Sequence, residues 1–362
     1  MKAAVLVEPQ QPLVIQDIAV RKPGPREVLI RTAAVGVCHS DLHFTDGIYP
    51  TPVPVVPGHE AAGVVEAVGS EVGTVKPGDH VVTCLSIFCG YCEHCVSGFL
   101  SRCVSPRVRP QPDDEPRLVR EQVPVQQLLG LGAFAEQMLV HENACVAIRR
   151  DMPLDRAALI GCAAVTGYGA VTRTSRVRPG DTVAVIGCGG IGLCAINAAA
   201  IAGAGRIIAI DRVPGKLELA RAFGATDTVL ADGDVVADVV DMTNGGVHHS
   251  FEAVGLKVTT EQAFRMLRRG GTANVIGMIP PGVKIELRGT DFLSEKRIQG
   301  SLMGSNRFPV DMPGLVDFYL QGKLHLDKLI ASRIGLESIN DALDELRRGE
   351  LARSVVVFDG VA

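Results

Sequence analysis

The stretch FCGYCEHCVSGFLSRC, Phe88 to Cys103, holds four of the ten cysteines of this 362-residue chain. Cys89, Cys92, Cys95 and Cys103 follow the spacing Cys-x2-Cys-x2-Cys and then a fourth cysteine eight residues on. Four thiolates can close a tetrahedral shell around one ion and leave no position for water or substrate. Such a site clips a segment of chain and adds folding stability; it is poorly suited to Lewis-acid catalysis. A redox role for the Cys-x2-Cys pairs competes with this reading, and the third and fourth cysteines weigh against it. His94, inside the cluster, is expected to be exposed. A catalytic ion needs three protein ligands and an open position. Candidates are Cys38 in GVCHSD, His59 and Glu60 in GHE, and Cys162 in LIGCA. Taken singly, each cysteine could be a small buried hydrophobe and His59 an ordinary turn residue. Their combination is what suggests a metal.

A second chemistry is written in GCGGIG, Gly187 to Gly192. In a glycine-rich chain this pattern alone could be any tight turn. Here TVAVI precedes it, an apolar helical run follows, and Asp211 ends the next strand-like segment. Gly187 would make the turn, Gly189 would let the backbone approach a pyrophosphate, and Gly192 would let helix and strand pack closely. Gly190 and Ile191 open the helix, whose free N–H groups and positive dipole end suit phosphates. A carboxylate at Asp211 accepts hydrogen bonds from a ribose diol and repels a 2′-phosphate, which favours NAD over NADP; Arg212 beside it softens that preference.

The elements that must carry these residues fall into two textures. The first 150 residues are β-rich: EVLIRTAAVGVC, AAGVVEAVG and DHVVTCL are short apolar runs punctuated by Gly, Pro and Asp. Val104 to Gln127 is rich in Pro and charge without a clear period, and is expected to be a long surface loop. From about Ala163, strand and helix patterns alternate, which predicts an α/β, doubly wound parallel sheet. Two amphipathic helices, MPGLVDFYLQGKL and ESINDALDELRRGE, and a last strand SVVVF close the chain. A length of 362 residues exceeds what one core usually serves. The apolar fraction is 47% and the charged fraction 21%, with a formal net charge of −4, so there is no electrostatic case for nucleic acid or an anionic membrane. The N-terminal residues lack a signal-peptide pattern, and the most apolar stretch is broken by glycines and an arginine. The cytoplasm is the expected compartment, where clustered cysteines are more often metal ligands than disulfides.

Together, GVCHSDLH, PGHEAAGVVEAVG, VKPGDHVV, the four-cysteine lobe, LIGCAAVTGYGA, VIGCGGIG and the Asp211 strand resemble the zinc-dependent medium-chain alcohol dehydrogenases, in the same order and over essentially the whole chain. The resemblance implies a Rossmann domain, residues 164–302, inserted in a β-rich GroES-like catalytic domain, residues 1–163 and 303–362, with the structural zinc lobe at about 89–103 and the active cleft at the domain junction. It implies two zinc ions per chain, one structural and one catalytic, and NAD. Cys38, His59 and Cys162 then hold the catalytic zinc, with Glu60 as a nearby acid and Asp41 orienting the histidine. Ser40 matches the hydroxyl that binds the substrate oxygen, and His43 the histidine that passes its proton on. His39 and Arg353 match pyrophosphate contacts, Lys216 an adenosine-ribose contact, and Thr166 a position behind the nicotinamide. Leu85, Leu128, Leu129 and Met303 fall near a substrate pocket lined for a primary alcohol, benzylic or longer-chain. Other segments resemble an actinobacterial group that includes mycothiol-dependent formaldehyde dehydrogenases, so a thiol-adduct substrate (mycothiol or glutathione) is the second reading. Relatives form dimers or tetramers, and a homodimer is expected. A zinc-free quinone reductase would lack Cys38, Cys162 and the thiolate lobe. A zinc-ribbon nucleic-acid module fits neither the acidic balance nor the dinucleotide motif.

Overall fold

The computed structural model describes residues 1–111, 113–349 and 353–358. Pro112 and residues 350–352 and 359–362, which belong to the long-loop and C-terminal segments read above, lie outside the described residues. The chain divides into two compact units: Met1–Cys162 with Arg307–Gly322 and Leu326–Ala362, and Ala163–Asn306 with Lys323–His325.

The first unit is built on a seven-stranded sheet. Its spine is the long strand Glu27–Gly36, which pairs antiparallel with Glu60–Val68 on one side and Arg353–Val357 on the other. β-Branched and small side chains fill these strands, as a pleated surface buried on both faces requires. The core beneath gathers Leu6, Val28, Ile30, Val35, Phe134 and Met138, all excluded from solvent. Val104 to Gln127 differs from the loop expected. Its second half is a hairpin, Leu118–Arg120 paired with Val123–Gln127, inside a four-stranded sheet that also takes in Ala19–Val20 and Val55–Val56. Prolines and charges hid this hairpin from a periodicity reading. It is anchored by Arg117, which is buried and donates to Glu27 at 2.7 Å.

The second unit is a six-stranded sheet, all parallel, whose strands are Asp227–Leu230, Arg206–Asp211, Thr182–Ile186, Val247–Glu252, Leu267–Val275 and Arg297–Gly300 in spatial order. Numbered along the chain this is 3-2-1-4-5-6, the order of a doubly wound dinucleotide fold, with its switch point beside Thr182–Ile186. No helix among the described residues is long and apolar enough to cross a membrane.

Candidate active site

The first functional centre forms where three elements converge. Cys38 stands at the start of the short helix His39–Thr45; His59 immediately precedes the strand Glu60–Val68; Cys162 lies in a π-helical turn, Ile160–Ala164. A π-turn widens the helix by one residue and re-aims what it carries, a feature that recurs at functional sites. One donor atom from each of Cys38, His59 and Cys162 lies within 4.8 Å of the others, and all three residues are buried. Asp41 fixes this arrangement. Fully buried, it accepts from Cys38 N–H at 3.0 Å, from Gly58 N–H at 3.2 Å and from His59 Nδ1 at 3.1 Å. With Nδ1 so committed, His59 presents Nε2, which is buried without a partner among the described residues. A buried imidazole nitrogen with no partner is costly unless an acceptor of its lone pair belongs there, so the donor set fits a metal ion.

The electrostatics favour anionic sulfur at Cys38. The Cys162 hydrogen bond, and then the buried Arg353 guanidinium, hold the Cys38 thiol well below its ordinary range against the effect of burial. The same pairing, together with burial, pushes Cys162 well up. For His59, burial opposes the charged form, but the Asp41 carboxylate prevails and raises it well above the usual imidazole range. Arg353, expected at a pyrophosphate, is instead 3% exposed; its Nε lies 3.4 Å from Glu60 and it donates to the Val37 carbonyl at 3.1 Å. A buried guanidinium needs nearby negative charge, and Glu60 with the two sulfurs supplies it. Glu60 thus faces Arg353 rather than standing with the three donors.

Ser40 Oγ lies 3.6 Å from Cys38 Sγ. His43, half-buried, packs edge-on against Tyr49, and its Nδ1 is buried without a partner among the described residues. Burial depresses its basicity, partly offset by Cys38 and Asp46. His39 is exposed at the helix start. Leu128 is buried in the core of the first unit, and Leu85 and Leu129, only partly buried, pack against that core. Met303 belongs to the second unit, where its sulfur accepts from Thr166 Oγ1 at 3.5 Å.

In the thiolate lobe the sulfurs of Cys89, Cys92, Cys95 and Cys103 approach one another at 3.5 to 4.0 Å. Four sulfurs at the usual zinc–sulfur length of about 2.3 Å on a tetrahedron stand about 3.8 Å apart, so the lobe fits one ion. Backbone N–H groups of Cys89 and Cys92 point at Cys103 and Cys89 sulfurs, both at 3.3 Å, which supports negative charge there.

The glycine turn has the form its sequence suggests. Gly187 takes φ +93°, and at Gly192 a Cβ would stand 1.7 Å from the Gly187 carbonyl, so only glycine fits. Around Gly189 there is open space where a side chain would otherwise intrude, at the N-terminus of the helix Gly190–Ile201. That open space and the N–H groups at the start of the helix fit a pyrophosphate. Asp211 accepts from Cys188 N–H at 2.7 Å and from Val213 N–H at 3.0 Å, which locks the carboxylate at the strand end. Arg212 is exposed beside it, and Lys216, in the first turn of the helix Pro214–Ala222, acts electrostatically on buried Cys188. Two features escaped the sequence reading: the π-turn under Cys162, which has no compositional signal, and the inward position of Arg353. An arginine set in the apolar strand RSVVV was the available clue to the second.

Two family models match the chain: Alcohol dehydrogenase GroES-like domain over residues 24–150, and Zinc-binding dehydrogenase over residues 190–321. An S-(hydroxymethyl)glutathione dehydrogenase of Escherichia coli O1:K1 is 38% identical over 366 residues, covering 99% of each chain. The crystal structure of benzyl alcohol dehydrogenase from Acinetobacter calcoaceticus superposes with a TM-score of 0.94 at 32% identity, again over 99% of each chain. A zinc-binding dehydrogenase from Sinorhizobium meliloti 1021 bound to NADP superposes with a TM-score of 0.84 at 28% identity over 99% of each chain.

Proposed function

The chain belongs to the zinc-dependent alcohol dehydrogenases of the medium-chain dehydrogenase/reductase superfamily, and from that premise we propose that it oxidises primary alcohols, benzylic or longer-chain, reversibly to aldehydes with hydride transfer to NAD. The observation that carries this reading is the buried Cys38–His59–Cys162 cluster with its unpartnered His59 Nε2. Two cysteines and one histidine are the donor set by which alcohol dehydrogenases are known to hold a catalytic zinc. Bound there, the ion supplies Lewis acidity that brings an alcohol hydroxyl within reach of deprotonation near neutral pH and polarises the aldehyde carbonyl.

The chain's own residues do the rest. Cys38 brings one sulfur close to its anionic form, Cys162 supplies the second sulfur, Arg353 balances the charge, and Asp41 holds the His59 ring in the tautomer that offers Nε2. Ser40, beside Cys38, accepts the alcohol proton, and His43, kept neutral by burial, relays it through its free ring nitrogen. The Gly187–Gly192 turn and the helix behind it bind the cofactor pyrophosphate, Asp211 takes the ribose diol, and the reading of NAD over NADP rests on that carboxylate. His39, Lys216 and Thr166 are proposed as further cofactor contacts, and Leu85, Leu128, Leu129 and Met303 as substrate contacts. The four-cysteine lobe holds a second, structural zinc. We place the working form as a homodimer in a reducing compartment, the cytoplasm, where ten unpaired cysteines persist.

The test pairs metal analysis with turnover. Wild-type protein is expected to carry two zinc ions per chain and to form NADH from benzyl alcohol; Cys162→Ser is expected to carry one and to form none. Loss of turnover with both ions retained would reject the assignment of Cys162. The 38% identity to S-(hydroxymethyl)glutathione dehydrogenases favours a second reading on the same centre, in which the alcohol is the adduct of formaldehyde with a small thiol.

A further inference from the structure

We propose that the dinucleotide-binding unit carries a second ligand site, for a small polyanion bearing phosphate or carboxylate groups, at the edge of its parallel sheet opposite the glycine turn. The turn follows the C-terminal end of Thr182–Ile186; the second site lies where Thr182, Val247 and Leu267 begin their strands. A strand of five residues keeps the two roughly 15 Å apart.

The site is a cavity of about 430 Å³, within the range of small-ligand pockets. Five arginines line it, Arg176, Arg178, Arg268, Arg269 and Arg297. Among the described residues none of the five forms an ion pair with a carboxylate. The one acid in the lining, Asp181, is already committed: it accepts from His249 Nε2 at 3.1 Å and from Arg178 N–H at 2.8 Å. Behind it the polar chain is closed. His249 Nδ1 accepts from Ser175 Oγ at 2.6 Å, and Ser175 Oγ accepts from Asn274 Nδ2 at 2.9 Å. The floor is therefore internally satisfied, and the rim has a large excess of positive charge.

Two details point at a missing acceptor. The pairing of Val247–Glu252 with Leu267–Val275 jumps from Val247↔Leu267 to His249↔Thr272, so Arg268 to Gly271 are pushed out of the ladder, with Gly270 at φ +73°. Such bulges re-aim side chains, and here the two re-aimed ones are arginines. Next to them, Thr182 N–H donates to His248 Nδ1 at 2.9 Å, which leaves the proton of a neutral ring on Nε2. Arg268 Nη1 meets that Nε2 at 2.9 Å, donor against donor. An oxyanion accepting from both removes the conflict, and guanidiniums are suited to bidentate contact with phosphate or carboxylate oxygens. The concave shape and the overall charge of −4 favour a compact ligand over an extended nucleic acid.

Calorimetry on the full-length protein saturated with NADH, so that the dinucleotide site is filled, tests this with inorganic pyrophosphate and, separately, citrate at low salt. Saturable binding of at least one is expected, weakened at least tenfold in Arg268→Ala/Arg269→Ala and in Arg297→Gln, with NADH affinity unchanged; the preferred probe tells phosphate from carboxylate chemistry. No saturable heat with either probe, or affinities unaltered in both variants, would overturn the proposal.

Discussion

At the residue scale, Asp41 is the pivot of the metal site, because one carboxylate holds the Cys38 backbone, the Gly58 backbone and the His59 ring at once. Asp41→Asn keeps the volume but loses the charge that sets the histidine's orientation. Partners of this kind are typically worth about ten- to a hundredfold in metal affinity, so competition with a chromogenic chelator should show the catalytic zinc released that much more readily, with the structural zinc unmoved. Ser40→Ala removes the proposed proton acceptor while leaving all three sulfur and nitrogen donors in place. Its kcat is expected to fall by roughly a hundredfold or more, with zinc content unchanged; an unaltered kcat would remove Ser40 from the relay. These residues were legible in the sequence because donor types and spacing are chemical signals. Arg353 was only half legible: its chain position was visible, but which acid would neutralise it depends on Arg353–Val357 lying beside Glu27–Gly36, a long-range pairing that no local pattern encodes.

At the element scale, the thiolate lobe and the glycine turn are self-contained devices. The lobe has a 3.5 to 4.0 Å sulfur cage but few core side chains, so most of its order is expected to come from the ion. Cys103→Ser should reduce zinc from two to one per chain and lower Tm by roughly 5–10 °C, with activity retained at low temperature; loss of activity at unchanged Tm would contradict a structural role. In the turn, Asp211 is held by two backbone N–H groups at the strand end, where the proposed preference for NAD places it against the ribose. Asp211→Asn is expected to shift the ratio of kcat/KM for NAD over NADP at least tenfold toward NADP. The parallel, doubly wound sheet of the dinucleotide unit followed from alternating strand and helix patterns, since the crossover rule leaves few alternatives; its strand order came from the structure. The Leu118–Gln127 hairpin did not, because Pro124 and the flanking charges erase the alternation that marks a strand, and its pairing with Val55–Val56 and Ala19–Val20 is non-local.

At the scale of the whole molecule, stability and substrate choice integrate many such contacts. His141, buried at the end of the strand Gln137–His141, is pushed down to about 4 by burial and by the Arg26 guanidinium, below its unfolded value of about 6.5. Between those values the unfolded chain binds the extra proton. The contribution of His141 is therefore complete above pH 6.5 and drains away as pH falls through 4, by up to about 3 kcal/mol. His141→Asn, which can still accept from Asn143 N–H, should lose less Tm between pH 7 and pH 5 than wild type does. Substrate identity is the property that local motifs carry least, since it depends on pocket walls drawn from distant segments, and relatives of comparable similarity are named for a thiol adduct and for benzyl alcohol. The most direct measurement is NADH formation by the zinc-loaded wild-type protein in thiol-free buffer, with benzyl alcohol and a ladder of primary alcohols set against formaldehyde plus glutathione or mycothiol. Turnover of the free alcohols without any thiol is the expected result; reduction of NAD only when formaldehyde and a thiol are both present would contradict it.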